Sequence, residues 1–107
     1  MTETQSVLCN IINQIFQVEQ KCNQELESKG LQRKFRRIDQ HLQELELEVH
    51  NPIGENYDDT RLDCEATISG DDTDNLKIIE VIKPIVYHKG NHNTILQRAV
   101  VIVAKEK

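Results

Sequence analysis

His50-Asn51-Pro52-Ile53-Gly54 separates two parts of this 107-residue chain that repeat their apolar residues with different periods. Before it the repeat is three or four positions, the spacing of one helix face. After it the repeat is two, the spacing of one strand face. Pro52 has no N–H to donate and disfavours helical backbone at Asn51, and Gly54 opens the left-handed region. The stretch reads as a junction between a helical part, 1–50, and a β part, 51–107.

On the N-terminal side, Thr2 or Thr4 offers a hydroxyl to the free N–H groups of a first helix, and Glu3 suits its positive end. Leu8, Ile11, Ile15, Val18 and Cys22 form a stripe, widened by Val7, Ile12 and Phe16. A stripe this wide suits a bundle better than a two-stranded coiled coil. The pattern stops at Glu27-Ser28-Lys29-Gly30, where Gly30 is expected in the left-handed position after a helix end. A second stripe, Leu31, Phe35, Ile38, Leu42 and Leu45, begins in a new phase. One straight helix would turn the two stripes apart, so a helical hairpin is expected, with a kinked single helix as the alternative. Two such helices give a single apolar layer. Pairing two hairpins in a four-helix bundle would bury it. The expected homodimer interface is Leu8, Ile11, Ile15, Val18, Phe35, Ile38, Leu42 and Leu45.

On the C-terminal side, Leu62, Cys64, Ala66 and Ile68 alternate with polar residues, as in a half-buried strand. Lys77 to Ile82 forms a strand ended near Pro84, and Ile85-Val86-Tyr87 continues it after a bend. His88 to Asn93 is a hairpin turn. Thr94 to Ala104 is the last strand, with Ile95, Ala99, Val101 and Val103 on one face and Leu96, Val100 and Ile102 on the other. Two apolar faces place it centrally. Three or four antiparallel strands would make a small sandwich or barrel-like module. The fold class is α+β: an N-terminal helical hairpin forming a dimeric four-helix bundle, then a small all-β domain.

The net charge of −5, spread over both parts, argues against a general nucleic-acid binder. No run is long and apolar enough for a membrane span, and the first residues lack signal-peptide character. Three cysteines without metal-like spacing suit reduced thiols in a cytoplasmic protein. Asp71 to Asp74 lacks the glycine and distal glutamate of a calcium loop and reads as a solvated turn. His88 and His92 have no evident third ligand, and Cys64 on an apolar strand face reads as a structural thiol. Arg33-Lys34 and Arg36-Arg37 read first as a solvated helix face, and second as a docking patch for an acidic surface. No catalytic motif stands out, so binding without a cofactor is expected and catalysis is not.

The order of helices, junction and β module resembles the GrpE family of co-chaperones, which serve DnaK-type (Hsp70) chaperones. Leu47-Glu48-Val49, Gly54-Glu55, Tyr57-Asp58 and Glu65-Ala66 are similar to family segments in the same order. Ile95 to Val103 is similar to its final strand, where Arg-Pro-Ala precedes alternating valines. Departures are Asn56 for the family's proline, Cys64 for its histidine and Gln97-Arg98 for its Arg-Pro. Val86-Tyr87 stands where the family has Gly-Tyr, and the long helical stalk has no counterpart. The resemblance implies a homodimer that promotes ADP exchange on an Hsp70/DnaK-type ATPase domain. Gly54, Tyr57, Asp58, Glu65, Gln97 and Arg98 would touch that partner. The departures leave a second reading, a dimeric interaction module with this fold and no exchange activity.

Overall fold

The computed structural model of the chain describes residues 2–25 and 29–105. Two helices, α1 (Glu3–Glu25) and α2 (Lys29–Glu44), precede seven strands. The strands are β1 (Leu47–His50), β2 (Asn56–Tyr57), β3 (Cys64–Ile68), β4 (Leu76–Lys83), β5 (Ile85–His88), β6 (Asn91–Gln97) and β7 (Ala99–Lys105). The chain is thus α+β, with a C-terminal part that is mostly β.

Thr2 caps α1 as expected. The Gln5 amide donates to Thr2 Oγ1 at 3.0 Å and the Thr2 amide to Gln5 Oε1 at 3.0 Å, a reciprocal capping box. Gly30 departs from expectation. It is the second residue of α2 and has no positive φ, so it caps nothing. Near a helix start a glycine costs less than in the interior, which is why the helix tolerates it. The break expected at Glu27-Ser28 lies outside the described residues.

The change from helix to strand falls at Leu45-Glu46, not at His50-Asn51. Leu42, Leu45 and Val49 fit a helical spacing, while Leu45, Leu47 and Val49 also fit alternation; tertiary pairing of β1 with β5 decides for the strand. Glu46 takes the left-handed conformation at φ 63 without being a glycine. Its N–H donates to the Gln43 carbonyl and its carbonyl accepts from the Lys89 N–H at 2.8 Å, which offsets the strain.

The Asn51-Pro52-Ile53-Gly54 stretch has another role: it carries the chain from one sheet to the other. Asn51 Oδ1 accepts from the Ile53 N–H, and the Glu55 N–H donates to the Pro52 carbonyl. Gly54 at φ 80 occupies the position of a type II turn that needs a positive φ. The turn is stitched to β4, where the Gly54 N–H donates to the Ile78 carbonyl at 2.8 Å.

The β part is two sheets, ordered β1-β5-β6 and β2-β4-β7-β3. This corrects the expectation of three or four antiparallel strands. The expected single strand Thr94–Ala104 breaks at Arg98 and serves both sheets. β3 runs parallel to β7, with Cys64 opposite Ala99 and Ile68 opposite Val103. β7 lies between β4 and β3, the central place that its two apolar faces imply.

Alternation sorts the side chains into three layers. In the smaller sheet, Ile85, Tyr87 and Ile95 face a core shared with Cys64, Leu76, Ile78, Val81, Ala99, Val101 and Val103 of the larger sheet. Leu47, Val49, Val86 and Leu96 face the helices. Helix α1 lies on that side through Cys9, Ile12 and Asn13, and Phe16 reaches the inter-sheet core. Burial of each such apolar side chain contributes roughly 1.5–3 kcal/mol. Leu8 of α1 and Leu42 of α2 pack on the same cluster, so both helices rest on one sheet face. No described helix is long and apolar enough to cross a membrane.

Candidate protein-binding site

The residues expected to touch a partner fall into two groups. Five of them, Gly54, Tyr57, Asp58, Glu65 and Arg98, lie in or beside the β2–β3 loop. Arg61 is the hub of this loop. Its Nε donates to Asp63 Oδ1 at 2.6 Å, its Nη2 to Glu55 Oε1 at 2.7 Å and its Nη1 to the Asn56 carbonyl at 3.0 Å. Tyr87 Oη donates to Asp63 Oδ2, and His50 Nε2 lies 2.5 Å from Glu55 Oε2. Sequence reading did not single out Arg61, because an isolated arginine in a polar loop carries no motif.

Partial burial pushes Glu55 and Asp63 upward, but hydrogen bonds and charge from Arg61 outweigh it and hold both below the usual carboxylate range. Burial likewise disfavours the Arg61 charge, yet its two carboxylates raise its pKa above the ordinary value. Asp58 is held low by the Thr60 hydroxyl and amide, which close the loop on its side chain.

Arg98, the one residue between β6 and β7, clamps the far side of this loop. Its Nε donates to the Leu62 carbonyl at 3.0 Å, its Nη2 to the Cys64 carbonyl at 2.8 Å and its Nη1 to Glu65 Oε1 at 3.2 Å. The loop is therefore fastened at Arg61 and at Arg98, and between them Leu62 stands 79% exposed. Leu62 was expected on the buried face of a strand; it precedes β3 and points to solvent instead.

From Arg98 the surface continues across the outer face of the larger sheet. Glu65, Val100 and Lys83 are adjacent across three strands, and so are Thr67, Ile102 and Glu80. Two register shifts in β4 turn Ile79 and Ile82 outward beside their neighbours. Ile79 and Ile82 are exposed, and Val100 and Ile102 are half-buried. Apolar side chains thus form a patch ringed by charge, the usual composition of a protein-binding surface.

Gln97 is placed elsewhere. It is half-buried and turned toward α1, where Asn13 Nδ2 donates to Gln97 Oε1 at 2.9 Å and Gln97 Nε2 donates to Asn13 Oδ1 at 2.7 Å. Gln97 Nε2 also donates to the Pro84 carbonyl at 2.9 Å. Its amide joins helix to sheet.

The helical residues expected at a dimer interface also divide. The face of α1 that meets the sheets is Cys9, Ile12, Asn13 and Phe16. Ile11 and Val18, with Val7, remain about half exposed, and Ile15 and Leu8 are half-buried. Helix α2 has no fully buried residue: Phe35, Ile38 and Leu42 are half-buried and Leu31 is exposed, as is Leu45 just beyond the helix.

Cys64 is 1% exposed, and burial above all pushes its thiol to about 11, which leaves it without thiolate character near neutrality. Asp71, Asp72 and Asp74 are exposed in the β3–β4 loop. The His92 side chain lies outside the described residues, and among those described no group of three or more His, Cys, Asp or Glu could hold a metal. Comparison with protein-family models, curated proteins and solved structures finds no match to this chain.

Proposed function

We propose that the chain is a short exchange factor of the GrpE kind, a cytoplasmic homodimer that binds the ATPase domain of a DnaK-type chaperone and favours its nucleotide-releasing state. The single observation that supports this reading is the fastened β2–β3 loop. Asp58, Glu65 and Arg98 take part in the hydrogen bonds that fasten this loop, Tyr57 lies on the strand that leads into it, and Leu62 stands out to solvent between the fastenings. Such a surface acts by binding one conformation of its partner more tightly than another, with no bond made or broken. The test is release of a labelled ADP analogue from a DnaK-type ATPase domain. Acceleration by the native chain, lost in Leu62→Asp and Arg98→Ala, supports the reading. No acceleration at saturating chain refutes it.

Two chains would join their helices in a four-helix bundle through Ile11, Ile15, Val18, Phe35, Ile38 and Leu45, with Leu8 and Leu42 at its base. The support is the apolar surface left uncovered on both helices, which a single chain does not bury. A monomer by sedimentation at micromolar concentration would refute it.

The commitment of Gln97 to Asn13 and Pro84 favours one alternative, an interaction module of this fold that does not drive exchange. Binding to the ATPase domain without accelerated release would identify it.

A further inference from the structure

The strongest uncommitted feature lies on α2, on the side away from its apolar stripe. At 3.6 residues per turn, Lys29, Arg33 and Arg36 share one face, with Arg37 at its border. Leu31, Phe35, Ile38, Leu42 and Leu45 lie on the opposite face. Whatever covers the apolar stripe leaves the cations outward. Lys29, Gln32, Arg33 and Arg36 line an open cleft of about 230 Å³.

This arrangement is unfavourable for the helix alone. Lys29 and Arg33, and Arg33 and Arg37, are like-charged pairs one turn apart, which repel. The first turn of α2 holds no acidic residue, so the cations also crowd its positive end. Among the described residues no carboxylate forms an ion pair with Lys29, Arg33, Lys34, Arg36 or Arg37. In a chain of net charge −5, a self-repelling basic stripe that no described carboxylate compensates is a surface suited to an anion from outside.

We propose that this stripe docks a short acidic segment of a partner protein. Three of its four cations are arginines, whose planar fork pairs with carboxylates through two parallel hydrogen bonds. From Lys29 to Arg37 the stripe spans about 12 Å, the length of roughly three to four extended residues. A polynucleotide fits less well. The basic face is one helix long, Asp39 borders it, and the β part is itself acidic. The inference stands apart from the exchange reading, since the stripe lies on the helices and that reading on the β part.

The experiment is fluorescence anisotropy of a labelled hexaglutamate peptide with the full chain at low salt, with amide chemical-shift mapping on the same samples. Expected are saturable binding and shifts concentrated at residues 29–37. Arg33→Gln/Arg36→Gln should weaken binding at least tenfold with an unchanged helical circular dichroism spectrum. Arg33→Lys/Arg36→Lys should retain part of it, and Lys105→Gln, on the sheet, all of it. Absence of peptide binding at millimolar concentration, shifts outside α2, or full affinity in Arg33→Gln/Arg36→Gln would overturn the proposal. So would tighter binding of a single-stranded oligonucleotide of equal charge.

Discussion

Replacing Asn13 by alanine tests how the helices are registered on the sheets. Asn13 is 4% exposed, and its amide exchanges two hydrogen bonds with Gln97, which also bonds the Pro84 carbonyl. One side-chain change therefore cuts the polar tie between α1 and the point where the chain passes from one sheet to the other. Each hydrogen bond contributes about 1 kcal/mol net. The orphaned Gln97 Oε1 adds a desolvation cost of about 1 kcal/mol or more, because no water fills the place of a well-packed amide without rearrangement. The expected loss is about 2–3 kcal/mol, or a fall in Tm on the order of 10 °C for a chain this size. Urea unfolding at fixed protein concentration measures it, since a dimer's stability depends on concentration. Asn13→Leu/Gln97→Met removes both amides and orphans only the Pro84 carbonyl, so it should recover part of the loss. A loss below about 0.5 kcal/mol for Asn13→Ala, or additive effects in the double variant, would refute the reasoning.

Three further outcomes follow from the same geometry. Glu55 and Asp63 have folded pKa values below their ordinary ones, so the stability they contribute is present above the usual carboxylate range and lost as pH falls through the folded values; Arg61→Ala should move acid unfolding, followed by circular dichroism, to higher pH and cost about 1–2 kcal/mol at neutrality, discounted because Glu55 is more than a third exposed. Ile85→Ala, at a fully buried site between the two sheets, should cost about 2–5 kcal/mol by urea titration, and a smaller loss would mean that the sheets do not share a core there. Cys64 should resist a thiol reagent in the folded chain at pH 8 while half-buried Cys22 reacts, with Cys64 becoming reactive only in denaturant.

Much of the fold is legible in local pattern. The Thr2 cap, the helical stripes and the double-sided apolar character of β7 were all readable, because each depends on a few neighbouring residues. What escaped depended on pairing across distance. The Leu45 to Val49 run satisfies both periods, and only its partnership with β5 makes it a strand. Thr94 to Ala104 reads as one strand because a single residue, Arg98, makes the break and no glycine or proline marks it. The parallel pairing of β3 with β7 has no sequence signal at all. In the candidate site, Glu65 and Arg98 were nameable by resemblance and do meet. Arg61 and the exposed Leu62 were not, since their roles arise from a loop folded back on two carboxylates. Gln97 was nameable but faces the helix, because it lies one position before the break.

The position of β7 also sets the order in which the molecule can assemble. It is the seventh strand made, yet it lies between β4 and β3 and joins both. Until it emerges, β3 has no partner on either side, and β4 has only the two residues of β2. Contacts so distant along the chain close slowly, since the intervening segments must be ordered first. A growing chain can form α1, α2 and the β1–β5 pair early, while the larger sheet forms in one late step. In that interval the edges of β3 and β4 are open, and the apolar helix faces offer the first surface through which two growing chains could recognise each other.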